Sequence, residues 1–456
     1  MELRFNPRHL LSFPAVIFLY SLAVLTCSAL RPLWLDEVLE LSGTTMSSLS
    51  AMLNWIPLMN AGATPLGYLT QRPFVLAGGP WPFWARLPSA LFSIFSCWLI
   101  LWICRELRIP RTTGMIAVVI FMLIPSQFRY ATEGRPYTEA LCFSLISVLA
   151  LIKLTRKPTA LRSIICIAAT TAGLYTQPYS VLPVCGMILW ILAAHRARGE
   201  WKSSLLSLFC VMISALAFVP WYLPASGAWR AAITSAGYPQ FHWTFPLFRD
   251  VAKGISGGSF LCSASLLAAA CAGIFAPLAP LEVRGMLSLG AAFAVVGALA
   301  GDALNNYFFA SRQIIFCLPS LCILASLGCS HLAAKSKLLG IGVGALLLVA
   351  SLTNDISFQV NTKEDWIAAA RALDRTAGDG YCLEFLGQGP DLYSVFIPGL
   401  RSKTCGAPPP PKVALVATLY TDPGEIASAE KNVQALGFSQ RGVVLVGGTR
   451  IILENR

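Results

Sequence analysis

The chain has 456 residues, 56% of them hydrophobic and only 12% charged, with a positive mean hydropathy; so apolar a balance excludes an ordinary soluble domain. The formal net charge of +12 would suggest nucleic acid as a partner for a soluble protein, but in a membrane chain the sign of charge is read loop by loop, and nucleic acid drops out.

A span needs roughly 17 to 25 mostly apolar residues, and apolar segments recur from residue 10 to about residue 356. The first follows "MELRFNPRHL", a basic start like that of a signal peptide, but no small-residue cleavage site is evident and more spans follow, so a retained first helix is expected. The sequence predicts eleven spans: 10–30, 85–104, 112–128, 137–152, 160–176, 179–194, 203–223, 258–280, 285–304, 313–333 and 338–356. With the N-terminus in the cytoplasm, the cytoplasmic breaks hold fifteen Lys and Arg in 41 residues, whereas the outer loops 31–84, 129–136, 224–257 and 305–312 are longer and poorer in positive charge, as the positive-inside rule requires. An odd number of spans puts the C-terminus outside.

Two outer loops are long, 31–84 and 224–257, and aromatic, Pro and Gly residues crowd both; such a composition suits amphipathic pieces lying at headgroup level. From about residue 357 hydropathy falls, and helix-like "KEDWIAAARALDR" and "PGEIASAEKNVQALG" alternate with strand-like "GYCLEFL", "KVALVATL", "GVVLVGG" and "RIILE". The expected architecture is a membrane domain over 1–356 and a small extracytoplasmic α/β domain over 357–456. Of fourteen cysteines, twelve lie in or beside apolar segments, where a thiol behaves as a small hydrophobe, and none has metal-ligand spacing. Cys382 and Cys405 lie in the tail, where an oxidising compartment would permit a bridge; two unpaired thiols remain the alternative.

Ionised groups at hydrocarbon depth are costly, so charges at span ends need individual explanations. Asp36, Glu37 and Glu40 follow the first span, Arg86 opens the second, Arg129, Glu133, Arg135 and Tyr137 lie in "FRYATEGRPYTEA", and Asp302 and Arg312 flank the ninth and tenth. All fall on the predicted outer face. Asp36 reads either as a helix N-cap for "EVLELSG" or as a general base acting on a hydroxyl, a role suited to a carboxylate held among apolar residues. Arg86, Arg135 and Arg312 either hold a lipid phosphate through paired hydrogen bonds, or snorkel to headgroups or pair with Glu133. His242 reads as a loop residue, and the aromatics around it as interfacial anchors or a sugar platform. Asp36 and Glu37 could ligate a divalent metal, but two adjacent acids lack a clear third ligand, and no cofactor is expected.

Four stretches together resemble the GT-C glycosyltransferases, in particular the branch containing lipid A aminoarabinose transferases, protein O-mannosyltransferases and related bacterial enzymes that use polyprenyl-phosphate sugars. "LWLDE" is similar to the acidic motif of their first outer loop, "ATPLGYL" at 63–69 to a His-Pro-Pro-Leu-Tyr element, "ARLPSALFSIFS" to an Arg-Leu-Pro-Ser helix start, and "YATEGRPYTEAL" to a Glu-Ala-Arg-Pro-Tyr-Ala-Leu element. "SRQIIFCLPSL" resembles a late Arg-Tyr-then-Pro helix more weakly. Ala63 and Thr64 stand where many relatives carry His and Pro. The resemblance implies a GT-C-like multispan fold, Asp36 as catalytic base, Glu37 as its supporting acid, and Tyr68, Arg86, Glu133, Arg135, Tyr137 and Arg312 in the donor pocket. It also implies a single displacement with inversion, a polyprenyl-phosphate sugar as donor, a hydroxyl on a lipid, glycan or protein as acceptor, and residence in the cytoplasmic (inner) membrane. The competing reading is a multispan lipid or solute transporter or flippase, which predicts broken or charged segments near mid-membrane in paired halves; here the charges gather at one interface. A non-catalytic scaffold is the third reading, and it would tolerate Asp36→Asn.

Overall fold

In a computed structural model the described residues are 12–60, 62–196, 202–235, 241–362, 364–406 and 411–456. The basic stretch 1–9, most of the break at 195–202 and most of the Pro run at 408–411 lie outside them. The described chain starts with α1 (Ser12–Leu30), and the long loop that follows folds into three short helices, α2 (Leu35–Thr44), α3 (Leu49–Met59) and α4 (Pro65–Gly78). Then come α5 (Pro82–Glu106), α6 (Arg111–Leu123), α7 (Pro125–Ala131), α8 (Tyr137–Arg156), α9 (Ala160–Thr176), α10 (Leu182–Arg196), α11 (Lys202–Ser235), α12 (Phe245–Gly254), α13 (Phe260–Ile274), α14 (Leu281–Asn305), α15 (Leu318–Lys335) and α16 (Lys337–Val360).

Among the described residues, seven helices are long and apolar enough to cross a membrane, or eight if the bent pair α6 and α7 is one span. The chain is therefore a multi-pass membrane protein. Three of the eleven expected spans fall on shorter apolar helices, Ala160–Thr176, Pro178–Ala194 and Phe260–Ile274. At ~1.5 Å per residue these fall short of a hydrocarbon core of ~30 Å, so length alone does not make them spans.

Two expected boundaries are corrected. The span expected at 112–128 is broken: Ile124 adopts extended backbone at φ −67°, ψ 127°, and α7 restarts at Pro125 with a 65° bend. The pyrrolidine ring disfavours the helical region for the residue before it, and Ile124 takes the extended alternative. The loop expected from 224 begins later, because α11 continues to Ser235; hydropathy falls at 223, but "SGAWRAAITS" still contains good helix formers, and backbone hydrogen bonding does not require apolar side chains.

The chain folds as two compact units. The first comprises the chain to Ser28, Leu53–Thr70 and Arg86–Phe358. Its α13 and α15 pack backbone against backbone: a Cβ on Gly273 would meet the Leu324 carbonyl oxygen, and one on Gly328 would meet that of Ala269. Small residues are what let helices approach so closely in a lipid environment, where dispersion rather than water exclusion holds helices together.

The second unit comprises Ala29–Met52, Gln71–Ala85 and Gln359–Arg456. Its tail contains α17 (Trp366–Gly378), β1 (Cys382–Phe385), α18 (Pro390–Ser394), β2 (Lys412–Thr418), α19 (Pro423–Ala435), β3 (Ser439–Val446) and β4 (Thr449–Asn455). The sheet order is β1-β2-β4-β3, with β1 parallel to β2 and the other pairs antiparallel. Central β2 reads KVALVAT and is buried on both faces, which explains its unbroken apolar run. One face packs Leu383, Ala414, Val416 and Ile451 against Trp366, Leu373 and Tyr393, and this same core takes in Leu33, Val38 and Leu41 from the loop after α1. The other face packs Val413, Leu415 and Ile452 against Val433 and Phe438. The β3–β4 turn is Gly447–Gly448, both at positive φ, as a two-residue hairpin turn requires. Cys382 and Cys405 are joined in a disulfide, their Cα atoms 4.9 Å apart.

Candidate active site

In the second unit, α2 begins at Leu35, after Trp34 with φ −109° and ψ 171°. Asp36 and Glu37 fill the first turn, where the helix dipole favours negative charge. Glu37 is fully buried, and its Oε2 accepts the Trp34 N–H at 3.3 Å. The N-cap reading of Asp36 is thereby corrected: the helix starts one residue before it, and the carboxylate that reaches back to the cap is that of Glu37. Asp36 is half-buried. Tyr420 lies within range of its charge: the phenol is pushed up by partial burial, then by its bond to Glu364 and by the charges of Glu364 and Asp36.

The first unit holds the other six expected residues. Arg86, near the start of α5, is fully buried, and its Nη1 donates to the Ser28 carbonyl at 3.1 Å. One turn later Ser89 ties α5 to the stretch before α8: its hydroxyl donates to the Arg135 carbonyl at 2.9 Å and its carbonyl accepts from the Thr138 hydroxyl at 2.9 Å. Those bonds tie the chain at Arg135 and just after Tyr137 to α5. Arg135 is 8% exposed; its Nη2 donates to the Tyr137 hydroxyl at 3.2 Å, and its guanidinium sits 5.6 Å from the centroid of that ring. Tyr137 in turn packs against Tyr130 at 4.8 Å. Glu133 is fully buried and accepts from Arg129 Nε at 2.9 Å, while the Arg129 guanidinium lies 4.9 Å from the Phe358 ring. Arg312 leans on Phe308 at 6.0 Å and acts electrostatically on Arg129, Tyr130 and Asp302. Arg129, Glu133, Arg135, Tyr137 and Arg312 thus form one neighbourhood. Tyr68 is buried, accepts from Asn60 Nδ2 at 2.7 Å and meets Trp55 edge to face.

Some polar partnerships of this unit are not legible in the sequence. Buried Glu139 accepts from the Thr70 hydroxyl at 2.6 Å, joining α4 to α8; an acid inside an apolar segment was the available signal. Asp302 was noted, but its partners were not: its Oδ1 accepts from the Tyr179 hydroxyl at 2.5 Å and from Gln313 Nε2 at 3.0 Å, and no local pattern pairs those positions. A cavity of about 230 Å³ opens beside Ser311, the residue before Arg312, and is lined also by Asp250, Lys253, Gly254 and Phe309. His242 is exposed in the connection before α12. Among the described residues, no group of three His, Cys, Asp or Glu side chains is placed to hold a metal ion.

This fold is that of the GT-C membrane glycosyltransferases. Residues 64–223 match the family described as dolichyl-phosphate-mannose-protein mannosyltransferase. The whole chain is similar to ArnT from Cupriavidus metallidurans. The apo structure of that protein gives a TM-score of 0.62 at 15% identity over 98% of both chains, and its structure bound to undecaprenyl phosphate gives 0.63 at 15% identity over 99% of both. An oligosaccharyltransferase from Archaeoglobus fulgidus matches more loosely, with a TM-score of 0.47 at 11% identity over 80% of this chain and 56% of its own. No curated protein matches the sequence.

Proposed function

We propose that this chain is a GT-C glycosyltransferase that moves a sugar from a polyprenyl-phosphate donor to a hydroxyl acceptor at the outer face of the cytoplasmic membrane. The observation that carries this reading is the fold shared along nearly the full length with a protein that binds undecaprenyl phosphate. The N-terminus lies in the cytoplasm and the tail from 357 lies outside; the Cys382–Cys405 bond supports an oxidising compartment for the tail. Arg135 and Arg312 hold the donor phosphate, Glu133 and Tyr137 set the geometry of that pocket, and Tyr68 and buried Arg86 shape its wall. As the glycosidic bond breaks, negative charge grows on the phosphate, so fixed guanidinium groups stabilise the transition state more than the ground state. Asp36, oriented with the help of Glu37, takes the proton from the attacking hydroxyl, a contribution of typically ~10² to 10⁴ in rate. Displacement is single, with inversion at the anomeric carbon.

The test uses the full-length protein in lipid nanodiscs with a panel of polyprenyl-phosphate sugars. Asp36→Asn is expected to abolish release of polyprenyl phosphate while leaving expression and membrane insertion normal; turnover at the wild-type rate would remove Asp36 from the role of base. Arg135→Ala is expected to weaken donor capture by about tenfold or more, and an unchanged apparent affinity would argue against its phosphate contact. A flippase would relocate the lipid without cleaving it. Mass spectrometry of envelope glycolipids and glycoproteins from cells with and without the gene identifies the sugar and the acceptor.

A further inference from the structure

Within the second unit, a single carboxylate collects three hydrogen bonds, two of them from distant parts of the chain. Glu364 Oε2 accepts the Leu35 backbone N–H at 2.8 Å and the Trp366 indole N–H at 2.8 Å, and its Oε1 accepts the Tyr420 hydroxyl at 2.5 Å. Leu35 opens α2, and the first amides of a helix have no partner inside it, so an outside acceptor there sets where and at what angle the helix begins. Trp366 is 2% exposed and opens α17, so Glu364 is anchored to the body of the α/β fold. Asp365 beside it caps α17 through the Ala368 N–H at 2.9 Å, and its own N–H is held by the Gly447 carbonyl at 3.0 Å. The backbone that follows Glu364 is thus held in place.

We propose that Glu364 is a positioning residue for the acidic motif: its carboxylate ties the first turn of α2, and therefore Asp36, to the α/β fold. This inference rests on the reading of Asp36 as the base. It gives the tail a part in catalysis through geometry rather than contact with substrate. A misplacement of ~1 Å at a reacting group costs up to ~10²-fold in rate, and the Leu35 bond lies one residue from Asp36. The two bonds from Trp366 and Tyr420 serve to hold the carboxylate still.

The experiment compares Glu364→Ala, Glu364→Gln and Leu35→Pro in full-length protein in nanodiscs, with hydrogen exchange at residues 33–41 and transfer kinetics as readouts. Glu364→Gln keeps an oxygen that accepts the Leu35 N–H. Leu35→Pro deletes the donor together with a side chain that packs on the core of this unit, so Leu35→Ala, which keeps the N–H, is its control. Proline is tolerated at the first helical position, and the extended Trp34 backbone suits the residue before it. Glu364→Ala is expected to speed exchange at the start of α2 by about tenfold or more and to lower kcat by about 10- to 100-fold, with the donor KM nearly unchanged. Glu364→Gln is expected to recover most of both, and Leu35→Pro to lose kcat as Glu364→Ala does. Should Glu364→Ala fail to fold, the Leu35→Pro and Glu364→Gln pair gives the same comparison. The proposal is overturned if Glu364→Ala and Leu35→Pro both keep wild-type kcat, or if exchange at the start of α2 is unchanged. It is also overturned if Glu364→Gln is as impaired as the variants that lose the bond. A wild-type protein that transfers no sugar, or an active Asp36→Asn, fails the underlying reading instead, and the exchange measurement still decides whether the tie exists.

Discussion

The pair Arg129–Glu133 separates a working electrostatic neighbourhood from surface charges that merely lie close together. Its partners are unequal: the Glu133 side chain is 0% exposed and that of Arg129 is 35% exposed. Removing one member of a buried pair costs ~3–5 kcal/mol, because the charge left behind has lost its compensation. Arg129→Met takes this partner from a fully buried carboxylate, so this variant is expected to be the costlier single, at up to ~3–5 kcal/mol. Glu133→Gln leaves a guanidinium that is one-third in solvent and rests on Phe358 at 4.9 Å, so its cost falls to ~2–3 kcal/mol after discounting for screening. The double variant should then be less damaged than the sum of the singles by ~1–3 kcal/mol, the coupling typical of side chains in direct contact. The assay is a double-mutant cycle on unfolding midpoints in nanodiscs, read alongside donor binding. Singles that add within ~0.5 kcal/mol, or a Glu133→Gln costlier than Arg129→Met, would refute the reasoning.

Opening the Cys382–Cys405 bridge frees a loop closed across 23 residues; loop-closure entropy makes that worth about 3 kcal/mol, so the double Ser variant should show a tail far more sensitive to protease, and one as resistant as wild type would contradict the estimate. Glu454 gives a pH dependence in the same unit. Its carboxyl is 0% exposed, has no hydrogen-bond partner among the described residues, and is pushed up by burial and then by the charge of Glu430. An acid whose pKa is higher folded than unfolded stabilises the fold only while protonated. Stability of the tail should therefore fall as pH rises from the unfolded value of ~4.3 through the folded one, by at most ~1.4 kcal/mol per pH unit, and Glu454→Gln should flatten that slope in a melting series. A slope that survives in the Gln variant would assign it to another group.

Much of the fold was legible locally. Long apolar runs announce helices because an unpaired backbone group cannot stay in hydrocarbon, and the helices and strands of the tail follow hydrophobic periods that a single segment carries by itself. The break at 112–128 falls at Pro125, but prolines also sit inside α5 and α11, so the residue alone does not mark it. The α11 boundary was missed because hydropathy marks where water begins, not where helical hydrogen bonding stops.

The sequence by itself determined a multi-pass membrane protein with a small α/β tail, and it marked the charged motifs at span ends. Only the tertiary structure decided what those residues touch. The bond between Leu35 and Glu364 joins positions 329 apart, and Asp302 reaches Tyr179 across 123. The acidic loop after α1 likewise shares its core with Trp366 and Tyr393. Periodicity records which face of an element is buried, but which other element meets that face depends on packing among distant segments, and no local pattern encodes it.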